Sequence, residues 1–318
     1  MMGKRPHPTL DGSSAKTVRL ESRPSKVNRE ALVDPAAYEP STSQLHRLIP
    51  PLLKGRDLEA VADAWASAVS RERSVILGMG AHPIKVGLSR ILIDLMERGW
   101  LQALAGTGAV AIHDLEMALQ GATSEEVTDG LPTGAFGMAD ETAEAYWNAV
   151  ERAARDGFGL GQAVGGLITE SSFPWHQLSV LSAAYDHEVP ATLHVTIGAD
   201  TVHMHPRHDG AALGRATLQD FYVLAEAVSQ LDDGGLYINL GSAVTLPEVF
   251  LKAINISRNV TGRPHRFVTV NLDMVQHYRP RLNVVERPTQ PDGQGYAITG
   301  HHEILFPLLY AMVRDRLA

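Results

Sequence analysis

The feature that most constrains this chain is an alternation. From Leu48 onward, short apolar runs alternate with stretches of helical period. The runs at 74–78, 101–105, 190–197, 236–240 and 267–272 read as strands. The stretches at 56–69, 83–98, 112–119, 141–154, 177–185, 217–231, 246–258 and 302–317 read as helices. Strands that are continuously apolar are buried on both faces, and strands separated by helices are joined by crossovers. The expected fold is therefore α/β: a Rossmann-like parallel sheet with helices on both faces. In such sheets ligands sit beyond the carboxyl ends of the strands, so the strand-to-helix corners are where function is to be sought.

Three corners are rich in glycine. They are Gly78-Met-Gly80-Ala81-His82-Pro83, Gly106-Thr107-Gly108-Ala-Val-Ala111 and Gly241-Ser242-Ala-Val-Thr245. The second fits G-x-G-x-x-G/A between a strand and a helix. Glycine lets the backbone approach a ligand, and helix N-termini favour phosphate groups. Three such corners suit a dinucleotide, although glycine also serves tight turns for steric reasons alone. A fourth segment, Asp200-Thr-Val-His203-Met-His205-Pro-Arg207-His208-Asp209, follows a strand end. Imidazoles near neutrality suit acid/base work, and a His-x-His spacing also suits metal ligation. Arg279 and Arg281, after another strand end, suit either an anion or solvent.

Composition narrows the chemistry. Only six of 28 basic residues are lysine, and none follows Lys252; histidine is abundant at 14 and cysteine is absent. Disulfides, thiolate zinc sites and cysteine nucleophiles are thereby excluded. The net charge of -8 argues against nucleic-acid binding. No run is long and apolar enough for a membrane span, and the start lacks a signal-peptide core, so a cytoplasmic protein is expected. Residues 1–45 read as a flexible tail, and 46–318 as one domain. The tail is basic: residues 1–29 carry seven basic side chains against Asp11 and Glu21. It is expected to be solvated, or, on an acidic body, to dock on its own oligomer or a neighbour.

The run SVILGMGAHPIKVGLSRILIDLMERGWLQALAGTGAVAIHDLEMAL, Ser74 to Leu119, resembles deoxyhypusine synthase in the order and spacing of its two corners. Further on, Ala199-Asp200, Gly241-Ser242-Ala-Val and Leu305-Phe306-Pro307-Leu308-Leu309 resemble that family's Gly-Asp, Gly-Gly-Gly-Val and Phe-Pro-Leu-Leu segments. The resemblance spans roughly residues 50–318. It implies a homotetramer with NAD in a cleft and sites shared across a dimer. It also implies amine oxidation by NAD and transfer of the alkylamine through a catalytic lysine. Asp200 would match the carboxylate that grips the amine, and His205 the histidine that follows. His203 joins them as an acid/base candidate. Gly78, Gly80, Ala81, His82, Gly106, Thr107, Gly108, Asp114, Gly241, Ser242 and His301 would line NAD.

The chain departs from that family where its lysine chemistry should occur. The Trp-Gly-Lys segment is replaced by Asn283-Val-Val-Glu286-Arg287-Pro288, and no later lysine exists. An imine needs a neutral amine, which arginine does not provide. Lys85, one turn into a corner helix, and Lys252 are the remaining candidates near corners. The expectation is an NAD-dependent enzyme acting on a small-molecule amine without a lysine imine. Two alternatives stay open. One is a non-catalytic nucleotide-binding scaffold. The other is a metal-assisted hydrolase using His203, His205, Asp209 and His113 or His301.

Overall fold

The computed structural model describes residues 13, 15–35 and 48–318. Its strands are β1 (Ser25–Asn28), β2 (Val75–Met79), β3 (Ala103–Thr107), β4 (Ala122–Glu125), β5 (Ala191–His194), β6 (Leu236–Leu240), β7 (Val268–Asp273) and β8 (Gln294–Thr299). Its helices begin with α1 (Lys54–Ser70), α2 (His82–Lys85), α3 (Ser89–Glu97), α4 (Gly108–Gln120), α5 (Val127–Gly130) and α6 (Asp140–Asp156). They continue with α7 (Leu160–Glu170), α8 (Val180–Asp186), α9 (Gly210–Ser229), α10 (Thr245–Thr261), α11 (Tyr278–Pro280) and α12 (His302–Leu317). Six strands form one parallel sheet in the order β5-β3-β2-β6-β7-β8. Counted along the sheet, this is third, second, first, fourth, fifth, sixth, the doubly wound order of dinucleotide-binding sheets. Its direction reverses between β2 and β6, so the crevice lies at their carboxyl ends.

Burial on both faces explains the composition of the strands. All five residues of β2 and of β6 are buried. Tyr237 of β6 stacks flat on Phe250 of α10, with ring centroids 3.5 Å apart. The edge strand β8 buries only Ile298, and for that reason its polar sequence carries no apolar run to betray it. Helix α7 is hidden in sequence by three glycines. Gly165 and Gly166 are needed there because a Cβ would meet the Leu181 carbonyl at 2.4 Å and the Tyr185 ring at 2.9 Å. The stretch 83–98, which the period predicts as one helix, breaks into α2 and α3 at Gly87. That residue has φ +83° and lies against the Ala31 carbonyl.

Residues 15–35 differ from the flexible tail that composition predicts. Strand β1 pairs antiparallel with β4. Val18 bridges Ala139. The basic side chains meet acidic ones of the same chain: Arg19 pairs with Glu141, Arg23 with Glu116 and Glu125, and Lys26 with Glu126. The charge excess of this segment is answered by the chain's own body. The remainder of the expected tail, residues 1–12, 14 and 36–47, lies outside the described residues. Among the described residues no helix is long and apolar enough to cross a membrane.

Candidate functional site

Beyond the carboxyl end of β3 lies a cavity of about 170 Å³. Its charged and polar walls are Asp200, Lys85, His113, Glu116, Glu125 and Arg23. The first corner brings Lys85 on α2. The second brings His113 and Glu116 on α4, and β4 brings Glu125. The loop after β5 brings Asp200, and the N-terminal segment brings Arg23. Helix α4 starts directly at Gly108, where a Cβ would stand 2.0 Å from Asp200 Oδ2. Glycine there admits the carboxylate to the positive end of a helix, a favourable place for an anion. Asp200 Oδ2 is nevertheless buried without a hydrogen-bond donor. Burial pushes this carboxyl up to about 6, because a charge taken from water without a partner is costly.

Arg23, Glu116 and Glu125 answer one another's charge, although Arg23 Nε and Thr142 Oγ1 are buried without a partner. Arg23 donates to Glu116 at 2.6 Å and pairs with Glu125 at 2.9 Å, with all three side chains buried. Thr123 Oγ1 donates to Glu116 and faces His113 Nδ1 at 2.7 Å. The threonine proton is committed to Glu116, so His113 Nδ1 must donate and its Nε2 carries the lone pair. Burial, with Lys85 and Arg23 nearby, lowers His113 to about 3, so it is neutral at physiological pH. Composition hides Arg23 as one cation among seven in an apparent leader. Its contacts are long-range, and only the local charge excess points toward it.

His203 and His205 hold the loop that carries Asp200; neither lines the cavity. His203 Nδ1 accepts the backbone N–H groups of Gly198 and Asp200, and the Asp200 side chain accepts the His203 N–H in return. Its Nε2 is buried without a partner, and its ring stands edge-on to Trp147. His205 Nδ1 accepts from the Arg207 N–H, and its Nε2 meets Asp140 at 3.0 Å. Both imidazoles are thus bonded to the loop and its neighbours, outside the lining of the cavity. Asp209 caps α9 by accepting from Ala211 and Ala212. Among the described residues no three His, Asp or Glu side chains are placed to hold a metal ion.

At the crevice between β2 and β6, Gly80 and Gly241 touch: a Cβ on Gly80 would stand 2.5 Å from the Gly241 carbonyl. Gly241, at φ +66°, lies under the ring of His302, 2.4 Å from where its Cβ would be. His302 is buried, with Nδ1 2.8 Å from His82 Nδ1 and Nε2 3.7 Å from Asp273. One Nδ1 must carry the shared proton and the other must not. Burial lowers both imidazoles, so the pair is neutral at pH 7.

The residues expected to line NAD do not form a phosphate cradle. Gly78 is required by the Tyr237 hydroxyl, Gly80 by Gly241, Gly106 by Val110 and Leu193, Gly108 by Asp200, and Gly241 by His302. Each corner glycine is explained by contact within the chain, and none faces open space. A pyrophosphate at Gly106-Thr107-Gly108 would meet the Asp200 carboxylate, and like charges repel. Ser242 Oγ is occupied as the cap of α10, accepting from Leu246. Asp114 is fully buried and caps α8, accepting from Ser179 Oγ, Val180 and Leu181. Ala81 only precedes α2. His301 is exposed beside Glu303, at the start of α12. Arg279 pairs with Glu248 and Arg281 with Glu286, both on the surface.

No protein-family model and no curated protein matches the sequence. Solved structures do. ArgZ, an arginine dihydrolase from the ornithine–ammonia cycle in cyanobacteria, is similar at TM-score 0.51 and 17% identity over 82% of this chain and 33% of its own. The chain thus spans about a third of that protein's length. A conserved putative LOR/SDH protein from Methanococcus maripaludis S2 is similar at TM-score 0.50 and 17% identity, over 83% of this chain and 70% of its own. A putative deoxyhypusine synthase from Entamoeba histolytica is similar at TM-score 0.53 and 10% identity, over 89% of this chain and 96% of its own. At these identities the likeness is one of fold: the chain shares a Rossmann-like α/β architecture with these three proteins.

Proposed function

We propose that this chain binds a small amine, as its ammonium form, against Asp200, and that this cavity is the substrate site of an amine-acting enzyme. The observation that carries the reading is Asp200, a residue that lines the cavity and whose buried Oδ2 has no donor. An ammonium placed there would supply the missing hydrogen bonds and the missing charge together. The position also matches the amine-gripping carboxylate implied by the resemblance to deoxyhypusine synthase.

The roles of the surrounding residues follow from their protonation. His113 is neutral with Nε2 as an acceptor, so it can orient an N–H of the bound amine. It is too weak a base to deprotonate an ammonium: about seven pK units separate the two, on the order of 10 kcal/mol. His203 fixes the backbone from which Asp200 projects. NAD is the ligand that the strand order suggests. The corner residues do not fit it, and no step is routed through it. The same reading expects a homotetramer, which sedimentation of the purified protein checks.

Calorimetric titration with butylamine tests the proposal. Saturable binding that is lost in Asp200→Asn supports it; equal binding by that variant refutes it. One observation favours a second reading, binding without turnover: His113, the imidazole of the wall, is too weak a base to take a proton from the ligand. Incubation with the bound amine followed by product analysis separates the two.

A further inference from the structure

Two opposite charges line the Asp200 cavity without meeting each other. Asp200 Oδ2 has no donor, and the ammonium of Lys85 makes no ion pair or hydrogen bond among the described residues. The two groups therefore stand farther apart than an ion pair. Every other charge of the wall is answered: Arg23 by Glu116 and Glu125, and Glu125 also by the Gly137 N–H. Lys85 is also the single lysine of the wall, since Lys252 pairs with Glu248 on the surface of α10.

We propose that the ligand of this cavity is a small zwitterion, an amino acid whose ammonium rests on Asp200 and whose carboxylate rests on Lys85. The proposal rests on the amine reading above and sharpens it. A monoamine would leave Lys85 unanswered. A diamine would bring its second ammonium toward the Lys85 ammonium, and like charges in a partly desolvated space repel strongly. A carboxylate in the same place gains a charge-assisted hydrogen bond. The volume of about 170 Å³ sets the scale at a small molecule such as a short, unbranched amino acid. The resemblance to a polyamine-using family points to a dication. Lys85 on α2 points the other way.

The test is a calorimetric panel on the full-length protein, with glycine, β-alanine, γ-aminobutyrate and δ-aminovalerate as zwitterions. Propylamine, butylamine, putrescine and butyrate are the partial matches. The best zwitterion is expected to bind at least roughly tenfold more tightly than the amine of the same length, and putrescine more weakly than butylamine. Lys85→Gln should bring the zwitterion down to the level of its amine and improve putrescine relative to butylamine. Lys85→Arg, which keeps the charge, should retain the preference, and equal melting temperatures would show that both variants fold. If putrescine binds as tightly as the best zwitterion, or Lys85→Gln leaves the preference intact, the zwitterion assignment is overturned while the amine reading stands. If none of the amines or zwitterions binds, both are overturned.

Discussion

Asp114 and Asp200 are both drawn out of water, and burial pushes both carboxyls up to about 6. By that measure they are twins, yet their surroundings are opposite. Asp114 sits in the core under α8, and three donors converge on it: the Ser179 hydroxyl and the Val180 and Leu181 N–H groups. Asp200 stands at the mouth of α4 and lines a cavity; it holds the His203 N–H with one side, while its buried Oδ2 has no donor. The pair shows that a raised carboxyl marks burial, and that burial alone does not mark a site. What separates a helix cap from a binding group is the unmet hydrogen bond beside open space.

The comparison breaks at its weakest support first. The Asp200 side is walled by Arg23, whereas the Asp114 side owes nothing to residues 15–35. Arg23→Met would leave Glu116 and Glu125 buried without their cation, a loss of about 4 kcal/mol. Denaturant unfolding checks this, and ligand binding at the Asp200 cavity should fall with it. A stable variant with intact binding would show that the N-terminal segment is not part of the site.

Exchanging each carboxyl for an amide should separate the twins. Asp114→Asn is expected to destabilise the fold by about 2 kcal/mol, because buried donors lose an acceptor, while amine affinity holds in the folded fraction. Asp200→Asn is expected to leave the melting temperature unchanged or higher and to weaken amine binding roughly a hundredfold. If the two variants have the same phenotype, the distinction fails.

The pH dependence is a smaller effect with a defined sign. A carboxyl raised from 3.8 to about 6 in the folded state binds more protons folded than unfolded in that window. Its contribution to stability is complete below 3.8 and lost as pH rises through about 6. Ligand binding runs the other way, since only the ionised form holds an ammonium. Affinity should be flat above pH 7 and fall by up to tenfold per unit below about 6, and the slope should vanish in Asp200→Asn.

The smallest expected effect is that of NAD. With the His82–His302 pair beside Gly241 at the β2–β6 crevice and Asp200 against Gly108 at the second corner, millimolar NAD should shift the melting temperature by less than about 1 °C. A large shift, retained in Asp200→Asn, would show that the histidine pair opens and that the crevice, not the cavity, is the principal site.

Much of the fold was legible in sequence because the signals were local. The runs at 236–240 and 302–317 coincide with β6 and α12, since a strand buried on both faces must be apolar throughout and a docked helix must repeat its apolar side. The failures share a cause. Strand β8 has only one buried residue, α7 hides its period behind glycines demanded by Tyr185 and Leu181, and residues 15–35 are held by partners about a hundred residues away. For the site, the sequence offered candidates only: Asp200, which the resemblance assigns to an amine carboxylate, lines the cavity, and a Cβ on any of the corner glycines assigned to NAD would meet atoms of the same chain.

The sequence by itself determined that this chain builds a parallel α/β sheet with its chemistry at the strand ends, because alternating apolar runs have few other ways to be buried. It also determined that cysteine chemistry is impossible and lysine chemistry scarce. Only the tertiary structure decided which charges are spent on each other and which are left over. Arg23 finds Glu116 and Glu125, His205 finds Asp140, and Asp114 finds the start of α8. Lys85 and Asp200 end at one cavity, the lysine without an ion pair among the described residues and the aspartate with its Oδ2 lacking a donor. Charges pair over a few ångströms of space, whatever their separation along the chain, so the residue list cannot say which will be satisfied.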